Sequence, residues 1–287
     1  MADTLPEHFT TEFSTNWIHR TQQMSARLDA YVDEETVNGE RKRYDRIGAQ
    51  NSRKRTERKG ATNLQDPTLD NRWAYHASYD IGNLLDKKDA KNLGSLVLPT
   101  SDYVKSHAMA YHRDCDDVAW GAALNPVMTG EQGSTSTVLP ASQQIANGSV
   151  GLTLAKLIEA NEILEDAELE DGTDKVLVVT KKQLTDLLNM TEVKNSDYNT
   201  VKALASGEVD YFMGFHFVKV ARLPLVGTTR SCVAWYKGAI QRIKGSMEAD
   251  VSIRKDLSYA TQIYSCWDLG ATRRYDEGVV QIDCTEA

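Results

Sequence analysis

Residues 99–126 read PTSDYVKSHAMAYHRDCDDVAWGAALNP. A proline stands at each end, and Thr100 or Ser101 can cap a helix start by accepting from a free backbone N–H. Asp102 falls in the first turn, where the helix dipole favours negative charge. Val104, Ala108, Tyr111, Cys115, Val118 and Ala122 recur at alternating intervals of three and four, which places them on one helical stripe. At 1.5 Å per residue the helix is roughly 36 Å long. That length makes it a spine on which sheets and arms are hung.

The surrounding chain has 287 residues, 41% hydrophobic and 26% charged, the composition of a folded protein with a large core in one or two domains. No apolar run approaches a membrane span, and MADTLPEHFTTEF lacks the basic and apolar parts of a signal peptide. Cys115, Cys232, Cys266 and Cys284 are scattered, without a CxxC pair or a metal-ligand cadence, and read as free thiols of a reducing compartment.

The net charge of −8 hides an asymmetry. Arg41, Lys42, Arg43, Arg46, Arg53, Lys54, Arg55, Arg58 and Lys59 face only Asp45 and Glu57 within residues 41–60. Residues 159–171 carry Glu159, Glu162, Glu165, Asp166, Glu168, Glu170 and Asp171 with no base. The chain is therefore a cationic finger on an acidic body.

Taken in order, residues 1–39 form an arm with a loose amphipathic pattern (Phe13, Trp17, Met24, Leu28, Tyr31), too short to fold alone. Residues 40–72 are poor in apolar side chains and read as a long projecting two-stranded loop, with Asn71–Asp80 as its return strand. IGNLLDKKDAKNLGSLVLP, from Ile81 to Pro99, reads as a short amphipathic helix leading into the spine. After Pro126 comes an open Gly/Ser/Thr-rich loop with one short strand. A second helix follows at about Leu152–Leu169, with Leu154, Leu157, Ile158 and Leu164 on its buried side. KVLVVT is a buried strand, KKQLTDLLN a helix, and Asp197–Ser206 another helix. Val209–Val220, Ser231–Ile243, Tyr259–Leu269 and Gly278–Cys284 read as strands. Helices followed by mixed strands and helices define an α+β fold rather than a βαβ repeat.

Chemistry is hard to find in these residues. His107 and His112 point about 140° apart on a helix and cannot share a metal, while His112 and Cys115 alone are not a site. GEQGST (Gly130–Thr135) lacks the lysine and preceding buried strand of a phosphate-binding loop and reads as a flexible connection. No GxSxG or HExxH motif is present, and Asp114, Asp116 and Asp117 have Arg113 and Lys105 as ordinary ion-pair neighbours. No catalytic residue, metal ligand or cofactor site is expected. The finger has three readings: a phosphate-backbone binder, giving a soluble nucleic-acid-binding protein using residues 41–60; a dock on the acidic surface of a neighbouring copy; or a solvated linker. Its single aromatic, Tyr44, and the acidity of the rest of the chain favour self-docking.

The order of elements resembles that of the major capsid proteins of tailed bacteriophages, which share the Hong Kong 97 fold. Ser78–Leu124 is similar to that family's entry into its spine helix, with a Pro-Thr-Ser start and an Arg-x-x-Asp centre. FHFVKVARLPL (Phe215–Leu225) followed by RSCVAWYKGAI resembles the axial-domain strands and their Arg-Leu-Pro corner. Tyr259–Cys284 is similar to the closing segment, with Gly-Ala-x-Arg and Val-Val strands.

The resemblance implies an N-terminal arm (1–39), an extended E-loop (40–75), a peripheral domain with the spine helix (76–174), an axial domain (175–245) and a return segment (246–287). It implies a non-enzymatic virion subunit, built in the host bacterial cytoplasm, that self-assembles as hexamers and pentamers into an icosahedral head around double-stranded DNA contacted non-specifically. Arg53, Lys54, Arg55, Arg58 and Lys59 become E-loop interface residues, and their partners by charge are Glu162, Glu165, Asp166 and Glu168 of an adjacent subunit. Partners expected besides other copies are a separate scaffolding protein, since only residues 1–39 precede the loop, a portal, and a decoration or cement protein; no membrane is involved. Some members cross-link an E-loop lysine to a neighbour's asparagine; Lys54 and Lys59 are available, but no matching partner set is evident.

Overall fold

The computed structural model describes residues 23–56, 58, 64–85, 102–166, 173–189 and 211–286. The strands in chain order are β1 (Asp33–Thr36), β2 (Arg41–Ile47), β3 (Leu69–Tyr75), β4 (Ala77–Leu85), β5 (Val127–Thr129), β6 (Thr135–Thr137), β7 (Gln144–Ile145), β8 (Lys175–Val179), β9 (Tyr211–Phe212), β10 (Phe215–Lys219), β11 (Leu225–Val226), β12 (Thr229–Tyr236), β13 (Ile240–Arg254), β14 (Ala260–Arg273) and β15 (Val279–Thr285). Among the described residues three α-helices join them: α1 (Asp102–Leu124), α2 (Leu154–Glu165) and α3 (Lys181–Asn189). The mixture is α+β, as the sequence pattern indicates. Two compact units share the chain, the smaller from residues 1–25, 80–113 and 249–265 and the larger from 26–79, 114–248 and 266–287.

The larger unit holds the main core. Its seven-stranded sheet runs β7-β15-β12-β8-β10-β9, with β11 on β12. β8 lies in the middle, parallel to β10 and antiparallel to β12. Val176, Leu177, Val178 and Val179 are all fully buried, which is why VLVV is continuously apolar rather than alternating. α2 starts at Thr153, whose hydroxyl accepts from the Lys156 N–H at 3.4 Å. It buries Lys156, Leu157, Ala160 and Leu164. The Lys156 ammonium is satisfied by the carbonyls of Asn147 at 2.8 Å and Asp283 at 2.7 Å.

A four-stranded sheet runs β1-β13-β14-β4, and a second runs β2-β3-β5-β6. β1 brings the end of the arm into the fold: Leu28 and Val32 are buried in the core, and Asp116 on α1 accepts the Arg27 and Leu28 N–H groups at 3.0 and 3.1 Å.

Several expectations need correction. Ile81–Leu85 is the end of strand β4, not the start of a helix; the apolar spacing in IGNLL suits a helix, but a sheet edge is available and the burial alternates with period two. Asn71–Asp80 is split between β3 and β4 around His76. Ser231–Ile243 breaks at Gly238, whose φ of +101° turns the chain from β12 in one sheet to β13 in another. Val209–Val220 likewise breaks between β9 and β10 at Gly214, φ +83°. On α2, Ile158 is exposed and Ala160 takes its place inside. On α1, Cys115 and Ala122 of the expected stripe are buried, while Ala108 is exposed. Phe13, Trp17, Thr100, Ser101, Lys59, Glu168, Glu170, Asp171 and the Asp197–Ser206 segment lie outside the described residues.

Candidate assembly surfaces

The basic stretch begins as a strand. β2 and β3 pair antiparallel over their full length, from Arg41 opposite Tyr75 to Ile47 opposite Leu69, and the Gly48 N–H reaches Thr68 O at 2.8 Å. Past this point residues 49–56, 58 and 64–66 are exposed. The hairpin ends in a bare pair, Ile47 (73% exposed) and Leu69 (76%), below the cationic residues Arg53, Lys54, Arg55 and Arg58.

The base of the hairpin is held firmly. Arg72 on β3 is buried, donating to Asp276 at 2.7 Å and to Asp70 at 2.8 Å. Asp276 also receives Arg273 Nε at 2.6 Å, and Arg273 Nη1 donates to the Ala123 carbonyl at the end of α1 at 2.9 Å. Arg46 donates to Asp70 and to the Arg274 carbonyl and lies over the Tyr275 ring. Burial pushes the Asp70 carboxyl up, but the Arg46 and Asn71 donors outweigh it and hold that carboxyl below its ordinary value. Arg41 lies 4.9 Å from the Trp73 ring centre, Lys42 pairs with Glu35, and Arg43 pairs with Asp45. Among the described bases of this stretch, Arg41, Lys42, Arg43 and Arg46 are held at the base of the hairpin, while Arg53, Lys54, Arg55 and Arg58 are exposed beyond it.

The proposed acidic counterpart lies at the C-terminal end of α2. Glu162, Glu165 and Asp166 are exposed there, and Glu165 also pairs with Lys175 at 3.1 Å. That hydrogen bond, with one from Asn161, holds the Glu165 carboxyl below its ordinary value.

The segment Gly130–Thr135 is a tight turn rather than a flexible connection. It joins β5 to β6, with the Gly133 N–H on Gly130 O at 3.0 Å. Gly133 has φ +69°, and a Cβ there would lie 2.4 Å from Tyr75 Oη and 2.8 Å from Trp73 Cγ. Trp73 and Tyr75 close the contact by donating to Gly130 O and Gly133 O at 2.7 and 3.0 Å. These glycines admit aromatic side chains, not phosphate. Beside them a cleft of about 450 Å³ is lined by Trp73, Tyr79, Asp114, Asp117 and Asn125. Asp117 there accepts from Arg222 Nε at 2.9 Å and Trp120 Nε1 at 3.0 Å, and Asp114 accepts from Trp267 Nε1 at 3.2 Å. Asp114, Asp116 and Asp117 of α1 thus each reach a partner far along the chain.

Of the spine histidines, His107 is packed, between Asn83 at 3.1 Å and Ser265 at 3.0 Å. Among the described residues no group of three or more His, Cys, Asp or Glu side chains is placed to hold a metal ion. No helix among them is long and apolar enough to cross a membrane.

The described residues thus form three sheets, a long helix and a cationic hairpin. A family model for phage capsid protein matches residues 5–286, and the chain belongs to that family. Solved structures agree over whole chains at low identity. The capsid of cyanophage P-SCSP1u aligns with a TM-score of 0.70 over 100% of both chains at 13% identity. A chain of Mycobacterium phage Che8 aligns at 0.71 over 98% of both at 16%, and the cyanophage Pam1 capsid at 0.72 over 100% of both at 12%. No curated protein sequence matches the chain. The likeness to tailed-phage major capsid proteins is thereby borne out, and the protein is a structural component of the virion.

Proposed function

We infer that this subunit assembles as hexamers and pentamers into the icosahedral head of a tailed phage carrying double-stranded DNA. In this reading α1 is the spine helix of a Hong Kong 97-like fold. Residues 1–39 are the arm, 40–75 the E-loop, 76–174 the peripheral domain, 175–245 the axial domain and 246–287 the return segment. Arg53, Lys54, Arg55, Arg58 and Lys59 of one copy meet Glu162, Glu165, Asp166 and Glu168 of the next. Scaffolding protein, portal and a decoration protein are further partners, and assembly takes place in the host cytoplasm. The protein is not an enzyme.

One observation carries the reading: a hairpin whose base is locked by the buried Arg72–Asp276 pair while its tip is solvent-exposed, cationic and flanked by bare Ile47 and Leu69. Nucleic-acid backbones call for charge, not apolar side chains, so this combination favours a protein surface. Single exposed ion pairs contribute only about 0–1 kcal/mol, but contacts repeated around a closed shell act together. Electron microscopy of purified, concentrated protein with its scaffold tests the proposal. Closed shells are expected; a persistent monomer that shifts DNA in a salt-sensitive way overturns it.

A further inference from the structure

β13 is 15 residues long, yet β1 pairs with only Gln241–Lys244 of it, and the Val37 N–H on Lys244 O at 2.8 Å ends that ladder. From Ser246 to Arg254, among the described residues, β14 is the only strand paired with it. No described strand pairs with the other edge there. Edges of this kind are usually blunted by proline, lysine, a bulge or extreme shortness. SMEADVSIR contains neither proline nor lysine. Its side chains alternate strictly: Met247, Ala249, Val251 and Ile253 on one face, Glu248, Asp250, Ser252 and Arg254 on the other. The apolar face is bare, with Met247 62%, Val251 38% and Ile253 63% exposed.

We propose that this edge pairs antiparallel with the same edge of a second copy across a two-fold axis, Val251 facing Val251. Directly opposed residues share a face, so the apolar rows meet only when opposed positions have the same parity. Centred on Val251, the register sets Glu248 against Arg254 twice, Asp250 against Ser252 twice and Ala249 against Ile253 twice. Each carboxylate then faces a cation or a hydroxyl. Centring one position earlier sets Asp250 against Asp250, and centring one position later, on Ser252, keeps Asp250 against Arg254 but shortens the ladder from seven paired positions to five, because β13 ends at Arg254. The segment is thus complementary to itself, with the longer clash-free ladder centred on Val251, as an isologous two-fold contact requires. In the single chain Arg254 donates to Asp256 at 2.9 and 2.7 Å and to Gln262 on β14 at 2.9 Å; these contacts are all exposed, so exchanging them for Glu248 of the second copy costs little. The inference rests on the reading of the chain as a self-assembling subunit, and adds to it a contact independent of the cationic hairpin.

The test is a Val251→Cys variant assembled into particles and oxidised with diamide. Opposed residues of an antiparallel pair lie about 4.5–5.5 Å apart at Cα, within the range a disulfide spans. A covalent dimer absent from oxidised wild-type particles is the expected result. Particles that form normally but give only monomer overturn the pairing and leave the shell reading intact. Failure of wild-type protein to form particles counts against the shell reading alone, and oxidation of the soluble Val251→Cys chain then decides the pairing. If the thiol introduced by Val251→Cys is blocked to maleimide in the monomer, the pairing is also overturned, because another segment of the same chain then covers the edge. Charge reversal gives a second readout. Glu248→Arg and Arg254→Glu, each made in the Val251→Cys background, are expected to lose the dimer band, and the double reversal to regain it. A double variant no better than either single one overturns the register.

Discussion

Arg72 and Asp276 are 204 residues apart in sequence, and their side chains meet at 2.7 Å in a buried ion pair. The contact ties the strand that carries the cationic hairpin to the turn before β15, and Arg273 joins it to the end of α1.

Removing Arg72 leaves Asp276 buried beside a single guanidinium. Arg72→Ala is expected to destabilise the subunit by about 3–5 kcal/mol, as for other broken buried pairs. Urea denaturation of unassembled protein measures this, and hydrogen exchange should show β2 and β3 opening first. A change below about 1 kcal/mol counts against the anchoring role.

Gly133→Ala combines a left-handed backbone with a clash on Tyr75 Oη. The expected loss is about 1–3 kcal/mol, read as a lower Tm and a shift in Trp73 fluorescence. An unchanged Tm shows that the turn has room to yield.

Glu286 receives both arms of Arg230, at 3.0 and 2.9 Å, and Gln183 Nε2 at 2.9 Å. The Arg230 hydrogen bonds lead in lowering its carboxyl from the ordinary 4.5 to about 2. A depressed carboxylate stabilises the fold fully above pH 4.5, and that contribution is lost as pH falls through about 2. Unfolding measured at intervals from pH 5 to pH 2 should show a smaller loss in Glu286→Gln than in the natural chain. Equal slopes remove Glu286 from the account.

His107 is held neutral, Asn83 donating to Nε2 and Nδ1–H donating to Ser265, and burial pushes its pKa below 6.5. The unfolded chain then takes up a proton first, so stability falls as pH drops below 6.5 toward the lowered folded value. His107→Gln should flatten the stability profile between pH 7 and pH 5. A variant with the natural slope assigns the dependence elsewhere.

Reversing Arg53, Lys54 and Arg55 to Glu is expected to block shell formation while the circular dichroism and Tm of the monomer stay unchanged. Normal shells from this variant, seen by electron microscopy, take the hairpin tip out of assembly.

What was legible in the sequence is what short-range periodicity controls. The α1 helix between two prolines, the apolar run Val176–Val179 of β8 and the paired limbs of the hairpin all follow from neighbouring residues. IGNLL misleads because five residues fit either period, and only a strand partner far along the chain decides. The ionic partners were out of reach for the same reason. Asp116 caps the backbone at Arg27 and Leu28, and Arg242 reaches Asp29 and Glu34, at separations of 88 to 213 residues. One signal was present: an arginine in a strand bracketed by isoleucines, as Arg242 is by Ile240 and Ile243, marks a buried guanidinium in need of carboxylates. The exposed tip residues were identifiable by charge, but the division between tip and anchored base was not.

The strand order also carries a timetable. β15 lies between β7 and β12, and those two have no edge in common without it. While the chain is being synthesised, the large sheet must remain in two pieces until residues near 285 have left the ribosome. A nascent subunit therefore cannot finish its folding early, and recruitment into a growing particle has to wait for translation to reach that strand.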